Sequence, residues 1–271
     1  MTVHSVDRLE DLPDPAPEGV FVVVDVIISS TTIIRLLEEG AAYVRPFADP
    51  EAARQFEAET EEAVLVGEDG GGPIPGFDHS PLPSLLKEAD LDGRPVGIRT
   101  SNGTRAMDRI GGNDGIYVGS TINAGAVADA LREHEADVWV VAAGRQGTPT
   151  PEDTAGKRLI EGQLTGTLSE SDREALVTDI GESSTADWLR DVGYEHELDE
   201  LLAFDSTTTV PRLEDGVFVS KSVQSSARTE AFLSACACHS AAYSPSVSSS
   251  SSWLPDSTIS PSSITMIRSA S

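Results

Sequence analysis

The chain has 271 residues, with 45 acidic side chains against 19 basic ones and a formal net charge of −26. A field of that sign repels nucleic-acid phosphates and anionic lipid headgroups alike, so neither is an expected partner. No apolar run approaches the ~18 to 20 residues of a membrane span, and Met1-Thr2-Val3-His4 opens without the basic-then-apolar pattern of a signal peptide, so a cytoplasmic protein is expected.

The pattern alternates strands and helices. Residues 19–26 (GVFVVVDV) form a continuous β-branched run, the mark of a strand buried on both faces. Helical spacing follows over 31–39 and stops at Gly40. A short strand over 42–45, a polar helix over 50–60 and a strand over 63–66 come next, then a Gly/Pro-rich loop over 67–83. Strands are expected at 95–99, 115–118 and 137–142, with helices at 105–110 and 123–133 between them. After a loop over 144–151, helices are expected at 152–161, 169–178 and 186–191. Alternation at this spacing implies an α/β fold, three layers α/β/α around a largely parallel sheet.

Two segments differ in composition. Residues 223–271 hold two acids, two bases and 17 serines, so residues 1–222 carry the whole net charge. The first is read as the domain. The second is a Ser-rich tail that cannot easily build a core, either a disordered extension or out-of-frame translation. Its Cys236 and Cys238 are the only cysteines, and a spacing of two makes neither a zinc site nor a disulfide framework. Three Lys against 16 Arg, few aromatics and many carboxylates suit a protein kept soluble at high salt, so a halophilic source is expected.

Ligands of such folds bind at the carboxyl ends of the strands, and four loops there carry polar chemistry. Asp25 precedes Ser29-Ser30-Thr31-Thr32, where a helix start could hold an anion and the Asp a cation, or the hydroxyls could simply cap the helix. Gly67-Glu68-Asp69-Gly70-Gly71-Gly72, followed by Asp78-His79-Ser80, lets backbone approach a ligand closely or forms a surface loop. Thr100-Ser101-Asn102-Gly103-Thr104-Arg105 is the densest set of small donors, with an Arg able to grip an oxyanion. Gly144-Arg145 leads to Glu152-Asp153, which complement a helix dipole or ligate Mg²⁺. No Cys lies in the body, which excludes a Cys-phosphatase mechanism there.

In this order the motifs VVVDV…STTI, GEDGG…IPGFD, TSNGTRA and AG…ED resemble the 2-phosphosulfolactate phosphatase family, over about Val20 to Val219. The resemblance implies an α/β/α fold and Mg²⁺-dependent hydrolysis of 2-phosphosulfolactate on the route to coenzyme M. The implied partner is a small anionic phosphoester; self-association is left open. The resemblance also carries over Asp25, Asn102 and Arg105, read as catalytic, and Ser101 and Thr104, read as substrate-binding; Ser30, Thr31, Gly103 and Arg145 are expected to bind substrate from the chemistry of their own loops. Asp25, Glu68, Glu152 and Asp153 are the implied metal ligands, and Asp78 is a further position that carries over. The family places an Arg three residues after the strand-end Asp; this chain has Ile28 there. A non-catalytic binder of small anions, or a phosphatase of another small phosphoester, is the alternative.

Overall fold

The computed structural model describes residues 1–111 and 115–220. The tail at 223–271 lies outside the described residues. In chain order the elements begin β1 (Val3–Val6), β2 (Val20–Val24), α1 (Ser29–Glu38), β3 (Tyr43–Pro46), α2 (Pro50–Glu59), β4 (Val64–Asp69), β5 (Gly72–Pro73), α3 (Pro83–Leu86) and β6 (Pro95–Arg99). They continue α4 (Gly103–Ile110), β7 (Ile116–Gly119), α5 (Ala124–Arg132), β8 (Val138–Ala142), α6 (Pro151–Thr165), α7 (Glu170–Gly181), α8 (Ser184–Asp191), α9 (His196–Leu201), β9 (Pro211–Glu214) and β10 (Val217–Ser220).

The described strands form one sheet in the order β1-β8-β2-β7-β9-β10-β3-β6-β4-β5. Two parallel blocks stand out: β1-β8-β2-β7, and β3-β6-β4. The antiparallel hairpin β9–β10 lies between them and pairs with β7 on one side and β3 on the other. The expected α/β/α architecture is present, and the sheet is mostly parallel. The hairpin at its centre was not expected. Its turn is Asp215-Gly216, both residues at positive φ (50° and 80°), a geometry that favours Gly and joins two strands by two residues.

Every residue of β2 is buried, as its apolar run requires. Phe21 and Val23 face the layer that includes Ile33 and Leu36 of α1 and Met107 of α4. Val20, Val22 and Val24 face the opposite layer, with Val127 of α5 and Leu159 of α6. Over the second block Leu65 packs with Phe56 of α2. Three layers follow from this alternation. Helices α7, α8 and α9 add Ile180, Leu189 and Leu198 to the core on the α6 side.

Helix α1 starts at Ser29 rather than Thr31. Its N-cap position is occupied by Ile28, which has no side-chain oxygen, and the Asp25 carboxylate accepts the Ser29 N–H instead (3.4 Å). Helix α6 runs to Thr165, beyond the expected 161, and stops at Gly166. Strands β1 and β5 and helices α3 and α9 have six residues or fewer, too short to show a period.

Candidate active site

A cavity of about 150 Å³ takes its walls from both blocks of the sheet. Asp25 follows β2 and Gly144 follows β8 in one block; Glu68 is the last residue but one of β4 and Thr100 follows β6 in the other. The first turns of α1 and α6 and the N-cap residue of α4, Asn102, meet there. Four carboxylates line the cavity, Asp25, Glu68, Glu152 and Asp153, and Arg145 is the single cationic side chain among its described lining residues.

Asp25 is 4% exposed and Glu152 2%. Burial first, then the charge of Glu68 and more weakly that of Glu152, pushes the Asp25 carboxyl up to about 7, against the pull of the Ser29 and Gly103 backbone N–H groups. Asp153 is raised as well, by burial and then by Asp25 and Glu152. Both Asp153 oxygens are already engaged, accepting from Val26 N–H (2.8 Å) and Gly144 N–H (3.0 Å), so this side chain straps the end of β2 to the end of β8. Glu68 accepts from Ser101 N–H (2.6 Å) and Gly71 N–H (2.7 Å) and from the Ser101 hydroxyl (3.1 Å), tying the β4 turn to the start of α4. The buried Oε2 of Glu152 and Oγ of Ser29 have no hydrogen-bond partner.

Of the residues expected to bind substrate, Ser101 and Arg145 line the cavity, as does Asn102, expected to be catalytic. Asn102 sits at the N-cap of α4 without making a side-chain capping bond, so its amide is not consumed there. Arg145 is exposed at the rim.

Five of the expected residues, Ser30, Thr31, Gly103, Thr104 and Arg105, lie outside the lining of the cavity. Ser30 Oγ accepts from Asp25 N–H (2.9 Å) and donates to Val23 O, so it is a buried brace of the β2–α1 turn. Thr31 Oγ1 donates to Val26 O (3.0 Å) and lies 2.7 Å from Ser120 Oγ, again wholly inside. Thr104 Oγ1 donates to Thr100 O (2.7 Å). Gly103 is buried outside the lining and serves packing: a Cβ there would lie 2.2 Å from Ser29 Oγ and 3.0 Å from Asp25 Oδ2, so the first turns of α1 and α4 touch only because it is glycine. Arg105 points away to an exposed ion pair with Glu10 (3.7 Å) and does not line the cavity. Asp78, also implied by the resemblance, accepts from Leu65 N–H (2.8 Å) and holds the start of β4.

Ile28, the position singled out as this chain's departure from the family pattern, lines the cavity. Among the other arginines near these loops, Arg35 is paired with Glu38 and Glu200, and Arg99 with Glu68 O and Asp69. Arg145 is therefore the cation left to meet an anionic ligand. One set of residues went unnoticed in the sequence: α8, read only as a helix, contributes Trp188 and Leu189 to the lining, with Val192 and Tyr194 just past its end. Ser29, the first of the four hydroxyls singled out after Asp25, lines the cavity as well.

A divalent cation fits this donor set. Hard oxygen ligands, mutual repulsion among buried carboxylates and an unpartnered Glu152 oxygen are what such an ion would relieve. Among the described residues no three His, Cys, Asp or Glu side chains are grouped to hold a metal by themselves. Mg²⁺ asks for less, one or two carboxylates with water and substrate oxygens. Glu152, with its unpartnered Oε2, and Asp25, whose hydrogen bond from Ser29 N–H is long (3.4 Å), suit it best, since Glu68 and Asp153 accept short backbone hydrogen bonds on both oxygens.

A family model described as 2-phosphosulpholactate phosphatase matches residues 6–216. A probable 2-phosphosulfolactate phosphatase of Thermoplasma acidophilum is 33% identical over 213 residues, 78% of this chain and 92% of that one. One from Symbiobacterium thermophilum is 37% identical over 166 residues (60% and 69%), and one from Gloeobacter violaceus 30% over 216 (74% and 92%).

Proposed function

Since the chain belongs to the 2-phosphosulfolactate phosphatase family, we propose that it hydrolyses the phosphate monoester of a small organic acid, with Mg²⁺ as cofactor. The observation that carries this reading is the coincidence of opposites at one cavity. The first turns of α1 and α4 present positive dipole ends and backbone N–H groups, which attract a phosphate. Beside them lie four carboxylates, which repel it. A cation between the two reconciles them.

Asp25 and Glu152 would hold the Mg²⁺, which when bound neutralises phosphate charge and lowers the pKa of a bound water. Ser29, whose hydroxyl is free, and the Asn102 amide are the donors for the equatorial phosphate oxygens, while the Ser101 hydroxyl stays on Glu68. Arg145 takes the carboxylate of the organic acid or a phosphate oxygen. Glu68 and Asp153 fix the loops that carry these groups and act through them. In the hydrolysis water adds to phosphorus, the P–O bond to the organic carbon chain breaks, and the leaving oxygen takes a proton.

The test is phosphate release from 2-phosphosulfolactate and a panel of small phosphomonoesters, with and without Mg²⁺. Metal-dependent release that Asp25→Asn and Glu152→Gln abolish supports the reading. Absence of release from every ester would end it.

A further inference from the structure

Three two-residue turns among the described residues share one backbone geometry, with positive φ at both central positions. They are Gly70-Gly71 between β4 and β5 (60° and 84°), Asp215-Gly216 between β9 and β10 (50° and 80°), and Gln146-Gly147 after β8 (50° and 80°). In the last, Arg145 N–H donates to Thr148 O (2.8 Å) and Thr148 N–H to Arg145 O (3.0 Å), which closes the turn. Such turns favour Gly, Asn or Asp in their first place, where a short side chain tolerates the left-handed backbone. Gly70 and Asp215 follow that preference; Gln146 departs from it.

The turn at Gln146 is held from behind. Asp153 accepts the N–H of Gly144 (3.0 Å), Arg8 Nη1 reaches Gly147 O (3.4 Å), and a Cβ on Gly147 would lie 3.4 Å from the Glu10 carboxylate carbon. These anchors fix the backbone. The side chains of Arg145 and Gln146 are exposed and line the cavity, and neither makes a hydrogen bond or ion pair to a described residue. A non-glycine residue held at positive φ beside a cavity is a place where the surroundings impose a conformation the residue would not choose.

The rest of the lining defines what the Gln146 amide can do there. Asp25, Glu68, Glu152 and Asp153 supply four carboxylates, against which stand the bound cation and Arg145, while Ser29 and Asn102 face the phosphate. An acid group on the carbon chain of the substrate therefore meets Arg145, whose fork engages two of its oxygens. A carboxylate keeps further lone pairs and a sulfonate a third oxygen. The Gln146 amide, next along the turn, brings two N–H donors and no charge, so it completes that contact without adding to the carboxylate repulsion.

Resting on the phosphatase reading above, we infer that Gln146 is a specificity-determining residue: its amide donates to the oxyanion, carboxylate or sulfonate, that the substrate carries beside its phosphate, and the left-handed turn aims it there.

Four esters that differ only in their acid groups test this: 2-propyl phosphate with none, 2-phospholactate with a carboxylate, 1-sulfo-2-propyl phosphate with a sulfonate, and 2-phosphosulfolactate with both. With full-length protein and Mg²⁺, kcat/KM of each acid-bearing ester is divided by that of 2-propyl phosphate. The wild-type ratio should exceed one for at least one acid. Gln146→Asn, which fits the turn but draws the amide back, should lower that ratio by about tenfold or more, the scale of one hydrogen bond to a charged group, chiefly through KM. Gln146→Glu keeps length and backbone but sets a carboxylate against the acid, and should lower it further. The ratio that falls identifies the oxyanion as carboxylate or sulfonate. The melting temperature of Gln146→Asn should equal or exceed that of the wild type. Wild-type ratios of one or less, ratios that both variants leave unmoved, or a lowered melting temperature for Gln146→Asn overturn the inference and leave the phosphatase reading standing. Hydrolysis of none of the four esters defeats the phosphatase reading instead. Calorimetry with sulfolactate then decides the inference by itself, since weaker binding to Gln146→Asn sustains it and equal binding overturns it.

Discussion

Ser29 Oγ lies 2.2 Å from the point where a Cβ on Gly103 would sit. Two helices from different blocks of the sheet, α1 and α4, meet at that contact, and the Asp25 carboxylate reaches the backbone of both. Gly103→Ala should force the first turns apart, with a loss of about 1 to 3 kcal/mol as for overpacked cores. Phosphatase activity should fall further than stability does, because the displaced turns carry the phosphate donors. A melting curve and kcat/KM from the same preparation check both. An Ala variant with unchanged melting temperature would refute the contact.

The raised Asp25 carboxyl sets the pH dependence of the metal-free protein. The groups facing it are Glu68 on β4, Glu152 and Asp153 on α6, and the N–H groups of Ser29 and Gly103. An ordinary Asp releases its proton near pH 4; folded Asp25 keeps it to about 7. Between those values the folded state binds the extra proton, so its stability is greatest below the window and declines as pH rises through it. In EDTA at fixed salt, the melting temperature should fall between pH 5 and 7.5. Asp25→Asn should flatten that fall, and so should excess Mg²⁺. A wild-type melting temperature that rises over this range would contradict the burial of Asp25.

Arg145 and Arg105 separate the cavity from its surroundings. Arg145→Ala should lower kcat/KM by about tenfold or more, the scale of losing one donor to a charged transition state. Arg105→Ala should cost less than about 1 kcal/mol of stability, because its pair with Glu10 is exposed, and should leave turnover close to that of the wild type. Steady-state kinetics on the two variants tell them apart, and the reverse ranking would show that the wrong arginine faces the substrate.

Two truncations should behave in opposite ways. Removing residues 223–271 should leave folding and activity intact, since the neutral Ser-rich segment carries none of the site motifs. Removing residues 211–271 takes out β9 and β10, and with them buried Leu213, Val217 and Phe218 at the centre of the sheet. That protein should show no cooperative melt. Circular dichroism on both shortened proteins reads the difference.

The concentration of the net charge in residues 1–222 predicts that added salt stabilises the fold. Raising KCl from ~0.1 M to ~1 M shortens the Debye length from about 10 to 3 Å, and the melting temperature should rise with it. Loss of stability on adding salt would argue against carboxylate repulsion as the dominant surface term.

The strand–helix alternation was legible because β2, β4, β6 and β8 are apolar runs ended by polar turns, and burial on both faces leaves little room for other patterns. The candidate site was legible only by loop. The hydroxyls of Ser30, Thr31 and Thr104 look like those of Ser29 and Ser101 in one dimension; which of them faces a cavity depends on where the helix begins, and Asp25 capping moved α1 two residues earlier than its hydrophobic period suggested. Asp215-Gly216 carried a hairpin signal in plain view, but nothing local says that the hairpin separates two parallel blocks.

Composition, charge and periodicity by themselves determined an acidic α/β protein with its polar chemistry at strand ends, because those properties are fixed by residue type and by neighbours a few positions apart. Tertiary structure decided that Asp25, Glu68, Glu152 and Asp153 share one cavity, that Arg105 leaves it while Arg145 stays, and that Trp188 forms its apolar wall. Those outcomes depend on contacts between segments 40 to 160 residues apart in the chain. Only packing across the two blocks of the sheet brings such segments together.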